Sequence, residues 1–139
     1  MPNNMLLLPV LAQVLLTIFL YVALAVAKGR ALKAGLVDLE RRALHDDAWP
    51  ESVMKINNNI RNQFEVPILF YVLALMLWQL ADASSLTLAL ALAWLFVASR
   101  IVHAWIHTHS NYVPARRRVF TIGAVVVLAM AAVALLHLR

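Results

Sequence analysis

The sequence of 139 residues has no cysteine, only three glycines and few charged side chains. Without cysteine the chain has no disulfide, no zinc–thiolate site, no iron–sulfur cluster and no cysteine nucleophile. So few glycines argue against low complexity and against a glycine-rich phosphate loop. Charged residues make up 14% of the chain, whereas a soluble domain has about 25%. The missing cysteines and scarce glycines exclude several enzyme classes. The low charged fraction argues against a sizeable soluble domain.

Apolar residues dominate what is present: 63% of the chain is hydrophobic and the mean hydropathy is +0.79. A membrane helix needs about 20 mostly apolar residues, so four spans would leave roughly 60 residues for connections and ends. The apolar runs predict four spans, at about 5–27, 60–80, 86–106 and 119–138, with a long polar connection at about 28–59. The expected fold is an all-α integral membrane four-helix bundle, with residues 1–139 as a single membrane domain.

Two local features refine these spans. The first run is longer than the apolar core of a signal peptide, and no Lys or Arg precedes it, so we expect a retained span. The second run contains Pro67, whose ring nitrogen cannot donate a hydrogen bond, so a kink is expected beside Gln63. Acidic residues before Pro50 and Glu51 predict the start of a helix that leads into this second span.

The net charge of +5 is distributed in a way that argues against nucleic-acid binding. The basic residues lie in short segments between the apolar runs, as in cytoplasmic loops of membrane proteins. The first and third connections are basic, whereas the N-terminal segment and the hairpin near Asp82 contain no Lys or Arg. The positive-inside rule then predicts a multi-pass protein with both basic connections in the cytoplasm and both termini outside. The expected location is a bacterial inner membrane.

One polar stripe contains Asn58, Arg61, Asn62 and Glu65, at offsets of 0, 3, 4 and 7. This spacing predicts a single helical face, on which Arg61 and Glu65 are four residues apart and able to pair. The stripe has two possible roles. It is either a self-satisfied ion pair that anchors the helix at the membrane surface, or one wall of a pocket for a small zwitterion. In the pocket, Arg61 would take a carboxylate and Glu65 an amine.

A second stripe contains Arg100, His103 and His107 at the end of span three, again on one predicted helical face. Three consecutive arginines follow in the third connection, and we expect one of them to point inward: Arg116, Arg117 or Arg118. Because both stripes are predicted on the same side of the membrane, they would form a cationic cavity that suits an anionic ligand. Polar residues at membrane depth usually face such a cavity.

The remaining candidates for a functional role are the paired histidines and the aromatic side chains. His103 and His107 have the spacing of a helical zinc pair, but no acidic residue follows nearby as a third ligand, so no metal site is expected. Most aromatic residues lie near span ends and predict an interfacial belt. Tyr112 is the exception, because it lies in the basic connection with a hydroxyl donor and joins the candidate binding residues.

These motifs resemble those of the MAPEG family, membrane-associated proteins of eicosanoid and glutathione metabolism. Residues 58–67 are similar to the family's Arg-Asn-x-x-Glu segment with a following proline. Residues 100–103, followed by Arg116, Phe120 and Gly123, are similar to its R-x-x-H…R…F/Y-x-x-G run. The resemblance covers essentially the whole chain.

The resemblance implies a homotrimer of four-helix subunits with glutathione, the cosubstrate, bound between neighbours near the cytoplasmic face. Carried over by residue, it implies that the tripeptide's polar ends are held by Arg61, Asn62 and Glu65. It also implies that Arg100 and His103 line the same pocket.

The same resemblance also implies which residue takes part in catalysis. Arg116 would approach the glutathione sulfur, and Arg30, or Lys28 in its place, would bind another carboxylate. A nearby arginine favours the thiolate, the nucleophilic form of a thiol. Asn58 and His107, from the two stripes, join the predicted binding set.

Three hypotheses follow. The first is a glutathione transferase or peroxidase-like enzyme that acts on lipophilic electrophiles from the bilayer. The second is a non-enzymatic protein of the same fold that binds another small anion or a lipid. It arises because Asn58, His107 and Phe120 depart from residues common in catalytic relatives. The third is a small transporter, disfavoured because Glu65 lies at the membrane edge and not at the midplane.

Overall fold

The structure, a computed structural model, describes residues 3–138, and its regular secondary structure is entirely helical over that range. Four of its helical stretches are long and apolar enough to cross a membrane, as the hydropathy predicts. The helices are α1 (Leu7–Lys33), α2 (Glu51–Gln63), α3 (Val66–Leu80), α4 (Leu86–Thr108) and α5 (Val113–Leu136). The all-α membrane fold expected from the sequence is therefore confirmed.

The second span consists of two helices, because α2 ends at Gln63 and α3 begins at Val66. Pro67 lies in the first turn of α3, where its missing N–H removes no helical hydrogen bond. The kink expected at Pro67 is thus a complete break through Phe64 and Glu65. The predicted helix start is also confirmed, since α2 begins at Glu51 immediately after Pro50.

Two helices extend beyond the predicted spans. α1 continues to Lys33, so the polar connection begins later than the apolar run ends. α5 begins at Val113, with Pro114 in its first turn, where proline is tolerated. Pro114 therefore lies at the start of a helix, and the connection before it ends earlier than the predicted span at 119–138 implies. As a consequence, Arg116 lies on a regular helix and not in a loop.

The apolar core lies where α3, α4 and α5 meet. Phe70 on α3 stacks on Phe96 on α4, with ring centroids 4.4 Å apart. Gly123 lets α5 approach α4 closely, because a Cβ at this position would come within 3.1 Å of the Ser99 hydroxyl. Small residues at such contacts are a common packing device between membrane helices.

A buried polar network joins α1, α2 and α4 inside the bundle. The Gln13 amide donates to the Gln63 side-chain oxygen at 2.9 Å, and Gln63 donates to the Asn59 side-chain oxygen at 3.0 Å. Asn59 in turn donates to the Ala104 carbonyl at 3.3 Å. Because all three side chains are buried, the network fixes α2, which carries much of the candidate site, against α1 and α4.

Candidate functional site

A pocket of about 260 Å³ lies beside the break between α2 and α3, against α4 and the first turns of α5. Its lining residues are Asn62, Glu65, His103, Val113, Arg116, Arg117 and Phe120. The pocket therefore combines two arginines and one carboxylate with an amide, an imidazole and an aromatic ring. Of the two predicted polar stripes, Asn62, Glu65 and His103 border this pocket.

The first stripe is not continuous. The helix ends before Glu65, whose φ of −103° and ψ of −108° are not helical, so Glu65 leaves the face that the spacing predicted. Arg61 pairs with Asp46 at 2.5 Å, and the predicted pairing of Arg61 with Glu65 is wrong. Asn62 and Glu65 border the Arg116 pocket, whereas Asn58 and Arg61 line a second cavity on the other side of α2.

Arg116 is held by a residue that the sequence analysis did not single out. Its guanidinium donates to the Asn111 side-chain oxygen at 2.6 Å. Asn111 adopts a left-handed backbone conformation with φ of 50°, which asparagine tolerates better than most residues. The signal available in the sequence was an asparagine in the short segment between α4 and Pro114, which is typical of a turn.

The second stripe is buried almost completely: Arg100 and His103 are 2% exposed and His107 is 4% exposed. Arg100 donates to the backbone carbonyl of Asn62 at 3.1 Å. The carbonyls in the last turn of a helix have no helical partner, so Arg100 stabilises the end of α2. It lies behind the pocket wall and is not among the lining residues.

The two histidines have different positions. His103 borders the pocket, and its ring lies 6.0 Å from that of Phe120. His107 packs edge-on against His103, with ring centroids 5.6 Å apart, and is not among the lining residues. Among residues 3–138, the Nδ1 atoms of both rings have no hydrogen-bond partner. Only His103 therefore offers a ligand-facing imidazole in the single chain.

The remaining candidates lie elsewhere in the single chain. Arg30 lines a third cavity with Ser52 and Thr108, and Tyr112 is 63% exposed at the start of α5. Of the three consecutive arginines, Arg116 and Arg117 both border the pocket and Arg118 does not. The expectation that one of the three points inward is corrected to two, because Arg116 and Arg117 are adjacent on the first turns of α5.

The fold and this pocket define a class: a multi-span helical membrane protein with a mixed-charge pocket at one end of the bundle. Residues 6–136 match the sequence model of the MAPEG family, so the chain belongs to the MAPEG family. The resemblance noted in the sequence is thereby confirmed. No curated protein and no solved structure matches the chain.

Proposed function

We propose that this protein binds glutathione in the Arg116 pocket and acts as a membrane-bound glutathione transferase or peroxidase-like enzyme on lipophilic electrophiles. The MAPEG family includes glutathione-dependent enzymes. The observation that carries the proposal is the meeting of Arg116, Arg117 and Glu65 in one pocket. Glutathione has two carboxylates, one ammonium group and a thiol, so its charges complement this lining.

Each lining residue has a defined part in this proposal. Glu65 takes the ammonium group, Arg117 takes a carboxylate, and Asn62 supplies an amide donor and acceptor. Arg116, positioned by Asn111, stabilises the glutathione thiolate. With an aryl halide as electrophile, the thiol proton passes to water, the sulfur forms a bond to the ring carbon, and halide leaves with the electron pair of the broken bond.

The proposal includes assembly into a homotrimer. The single-chain pocket of about 260 Å³ is slightly smaller than the range of about 300–1,000 Å³ found for ligand pockets. Walls from a neighbouring copy would enlarge and close it. In that arrangement Arg30, Asn58 and Arg61 reach the ligand from the neighbouring subunit, because in the single chain they border other cavities.

The test is a conjugation assay in detergent with glutathione and an aryl halide, comparing the parent with Arg116→Ala. Removing a group that stabilises the developing charge typically lowers the rate on the order of 100-fold, and we expect a loss of that size. Arg118→Ala is the matched control, since Arg118 does not line the pocket. Absence of both turnover and glutathione binding in the parent protein would refute the proposal.

The alternative is a non-enzymatic MAPEG protein that binds another small anion or a lipid. It is favoured by His107, which occupies a position where catalytic relatives often have tyrosine, yet is 4% exposed and turned from the pocket. A thermal-shift screen of small anions distinguishes the two functions. Stabilisation by another anion, with glutathione inert, would select this alternative.

A further inference from the structure

A second polar cavity, separate from the Arg116 pocket, lies between the end of α1, the first connection and α2. Its volume is about 240 Å³. Among its lining residues are the cations Lys28, Arg42 and Arg61, the carboxylate of Asp46, the amides of Asn57 and Asn58, and the indole of Trp49. We call it the Lys28 cavity.

The charges of the Lys28 cavity do not balance. Arg61 and Asp46 form an ion pair at 2.5 Å and neutralise each other. The neighbouring Arg41 is engaged by Asp47 at 2.9 Å, outside the cavity. Within residues 3–138, Lys28 and Arg42 have no carboxylate within ion-pair distance. Two positive charges therefore face the cavity without a protein counter-ion.

Trp49 joins the two segments that carry these cations. The Lys28 ammonium lies 4.7 Å from the centroid of the Trp49 ring, a cation–π contact. The indole N–H donates to the Arg42 carbonyl at 3.2 Å. The two contacts hold the end of α1 and the connection against the same indole ring, so Lys28 and Arg42 border one compact cavity.

The position of Lys28 on α1 indicates the depth of the cavity. Lys28 is the first charged residue of the chain and follows an apolar run that begins at Met5. The charged boundary of a membrane helix lies at headgroup level, where tryptophan is also enriched. Lys28 therefore marks the headgroup end of α1, which puts the Lys28 cavity near the depth of lipid phosphates.

We propose that the Lys28 cavity is a phosphate-binding site, with Lys28 and Arg42 as its anion-binding residues. Asn57 and Asn58 supply further amide donors to the phosphate oxygens. The phosphate belongs either to an anionic phospholipid headgroup or to a free phosphate, since the recognising groups are the same for both. Basic pockets between membrane helices bind such headgroups. Asn58 is also part of the proposed glutathione arrangement across subunits, so the phosphate site rests on Lys28 and Arg42, which that arrangement does not use.

The test compares parent protein with Lys28→Gln/Arg42→Gln. Lys33→Gln/Arg118→Gln is the matched control, because it removes the same net charge from exposed residues outside the cavity. Retention of phosphatidylglycerol against phosphatidylcholine is measured by native mass spectrometry from detergent. In a second arm, inorganic phosphate is titrated in a thermal-shift assay at constant ionic strength, with glutathione as a separate titrant.

We expect the parent and the control to retain phosphatidylglycerol preferentially. The Lys28→Gln/Arg42→Gln variant should bind about 30-fold more weakly, since a basic group at the headgroup layer contributes on the order of fivefold and both of these cations border the same cavity. The charge-preserving Lys28→Arg/Arg42→Lys variant should recover most of the binding, which separates loss of charge from loss of folding. Stabilisation by inorganic phosphate without lipid retention would identify free phosphate as the source.

Three results would overturn the proposal. The first is equal lipid retention and equal phosphate response in the cavity variant and the control variant, because general surface charge would then explain binding. The second is absence of both responses in the parent protein. The third is a response to glutathione alone that the cavity variant loses, because the Lys28 cavity would then belong to the glutathione site.

Discussion

Asn111 and Arg116 show how a single side chain orients the principal residue of the candidate site. The Asn111 oxygen accepts from the guanidinium at 2.6 Å, and Asn111 itself has a left-handed backbone conformation. The Arg116 guanidinium, on the first turns of α5, is thereby held in place and does not extend into water. Asn111 acts through Arg116, so it is a positioning residue.

We predict that Asn111→Gly frees the Arg116 guanidinium without straining the backbone, because glycine adopts positive φ readily. A hydrogen bond to a charged group contributes about 1.5–3 kcal/mol, so modification of Arg116 by phenylglyoxal should be on the order of tenfold faster. Peptide mass mapping measures the rate, and Arg118 in the same sample is the internal control. Asn111→Asp should slow the modification. Equal rates in all three proteins would show that Asn111 does not hold Arg116.

Arg100 is a second residue whose contact shapes the candidate site. Its side chain is buried and donates to the carbonyl of Asn62, one residue before the end of α2. Arg100 is thus a positioning residue, because it fixes the helix end from which Asn62 enters the pocket. A direct contact with glutathione, as the family resemblance implies, stays a prediction.

At the scale of elements, the break between α2 and α3 is what forms the pocket. Were the second span one straight helix, Glu65 would continue on the face of Arg61. The break instead turns Glu65 toward α5, while the Gln13–Gln63–Asn59 network keeps α2 in place against α1 and α4. The pocket wall therefore depends on hydrogen bonds buried in the bundle.

We predict that Gln13→Leu destabilises the protein by about 0.6–2 kcal/mol, because it leaves the buried Gln63 oxygen without its donor and membrane hydrogen bonds have about that magnitude. Gln63→Leu should cost at least as much, since it also removes the contact with Asn59. The double variant should be less destabilised than the sum of the two single variants. Unfolding in mixed micelles measures the double-mutant cycle. Additive losses would mean that the two amides are not coupled.

The hairpin between α3 and α4 supports a pH prediction. Asp82 accepts hydrogen bonds from the backbone and hydroxyl groups of Ser84 and Ser85, and these donors hold the pKa of Asp82 well below its ordinary value of 3.8. A carboxyl group with a depressed pKa stabilises the fold above the ordinary value and loses this contribution as the pH falls toward the folded-state pKa.

Asp82→Asn should therefore lower the melting temperature by a constant amount from neutral pH down to about pH 4. Below that pH the difference from the parent protein should shrink as Asp82 is protonated. Thermal unfolding across the pH range measures this difference. Glu40→Gln, in the first connection, is the control for the loss of one carboxylate elsewhere in the chain. A difference that stays constant at low pH would contradict the assigned contacts.

At the scale of the whole molecule, the outer surface is strongly apolar. Large side chains such as Leu15, Phe19, Leu128 and Leu136 are exposed along the spanning helices. A bilayer would cover this surface, and neighbouring copies in a trimer would cover part of it. The four spanning stretches make the chain a multi-pass membrane protein. The trimer and the placement of both termini outside the cytoplasm are part of the proposal.

The family resemblance implies three copies, so we predict the detergent-corrected mass of a trimer. Neighbouring copies would also bring Arg30 and Arg61, which lie outside the Arg116 pocket in the single chain, to its open side. Light scattering with refractive-index correction measures this mass, and crosslinking in native membranes is the control for detergent effects. A monomer in both measurements would contradict the shared pocket.

A reporter fused to the C-terminus should be active only outside the cytoplasm, because both termini are predicted there. Cytoplasmic activity would reverse the predicted orientation.

The sequence by itself determined the number of spans, the all-helical class, a bend near Pro67 and the family. These follow from local properties: the length of apolar runs, the missing N–H of proline, and short motifs within one helix. It also identified Asn62, Glu65, His103 and Arg116, which the fold brings together in one pocket.

Only the tertiary structure decided how the polar residues divide among cavities. Helical spacing assumes a continuous helix, so it could not show that the chain turns between Gln63 and Val66 and separates Glu65 from Arg61. The contacts of Arg100 with Asn62 and of Gln13 with Gln63 join residues far apart in the sequence. Such pairings are set by the packing of helices, and a single sequence has no local pattern that specifies them.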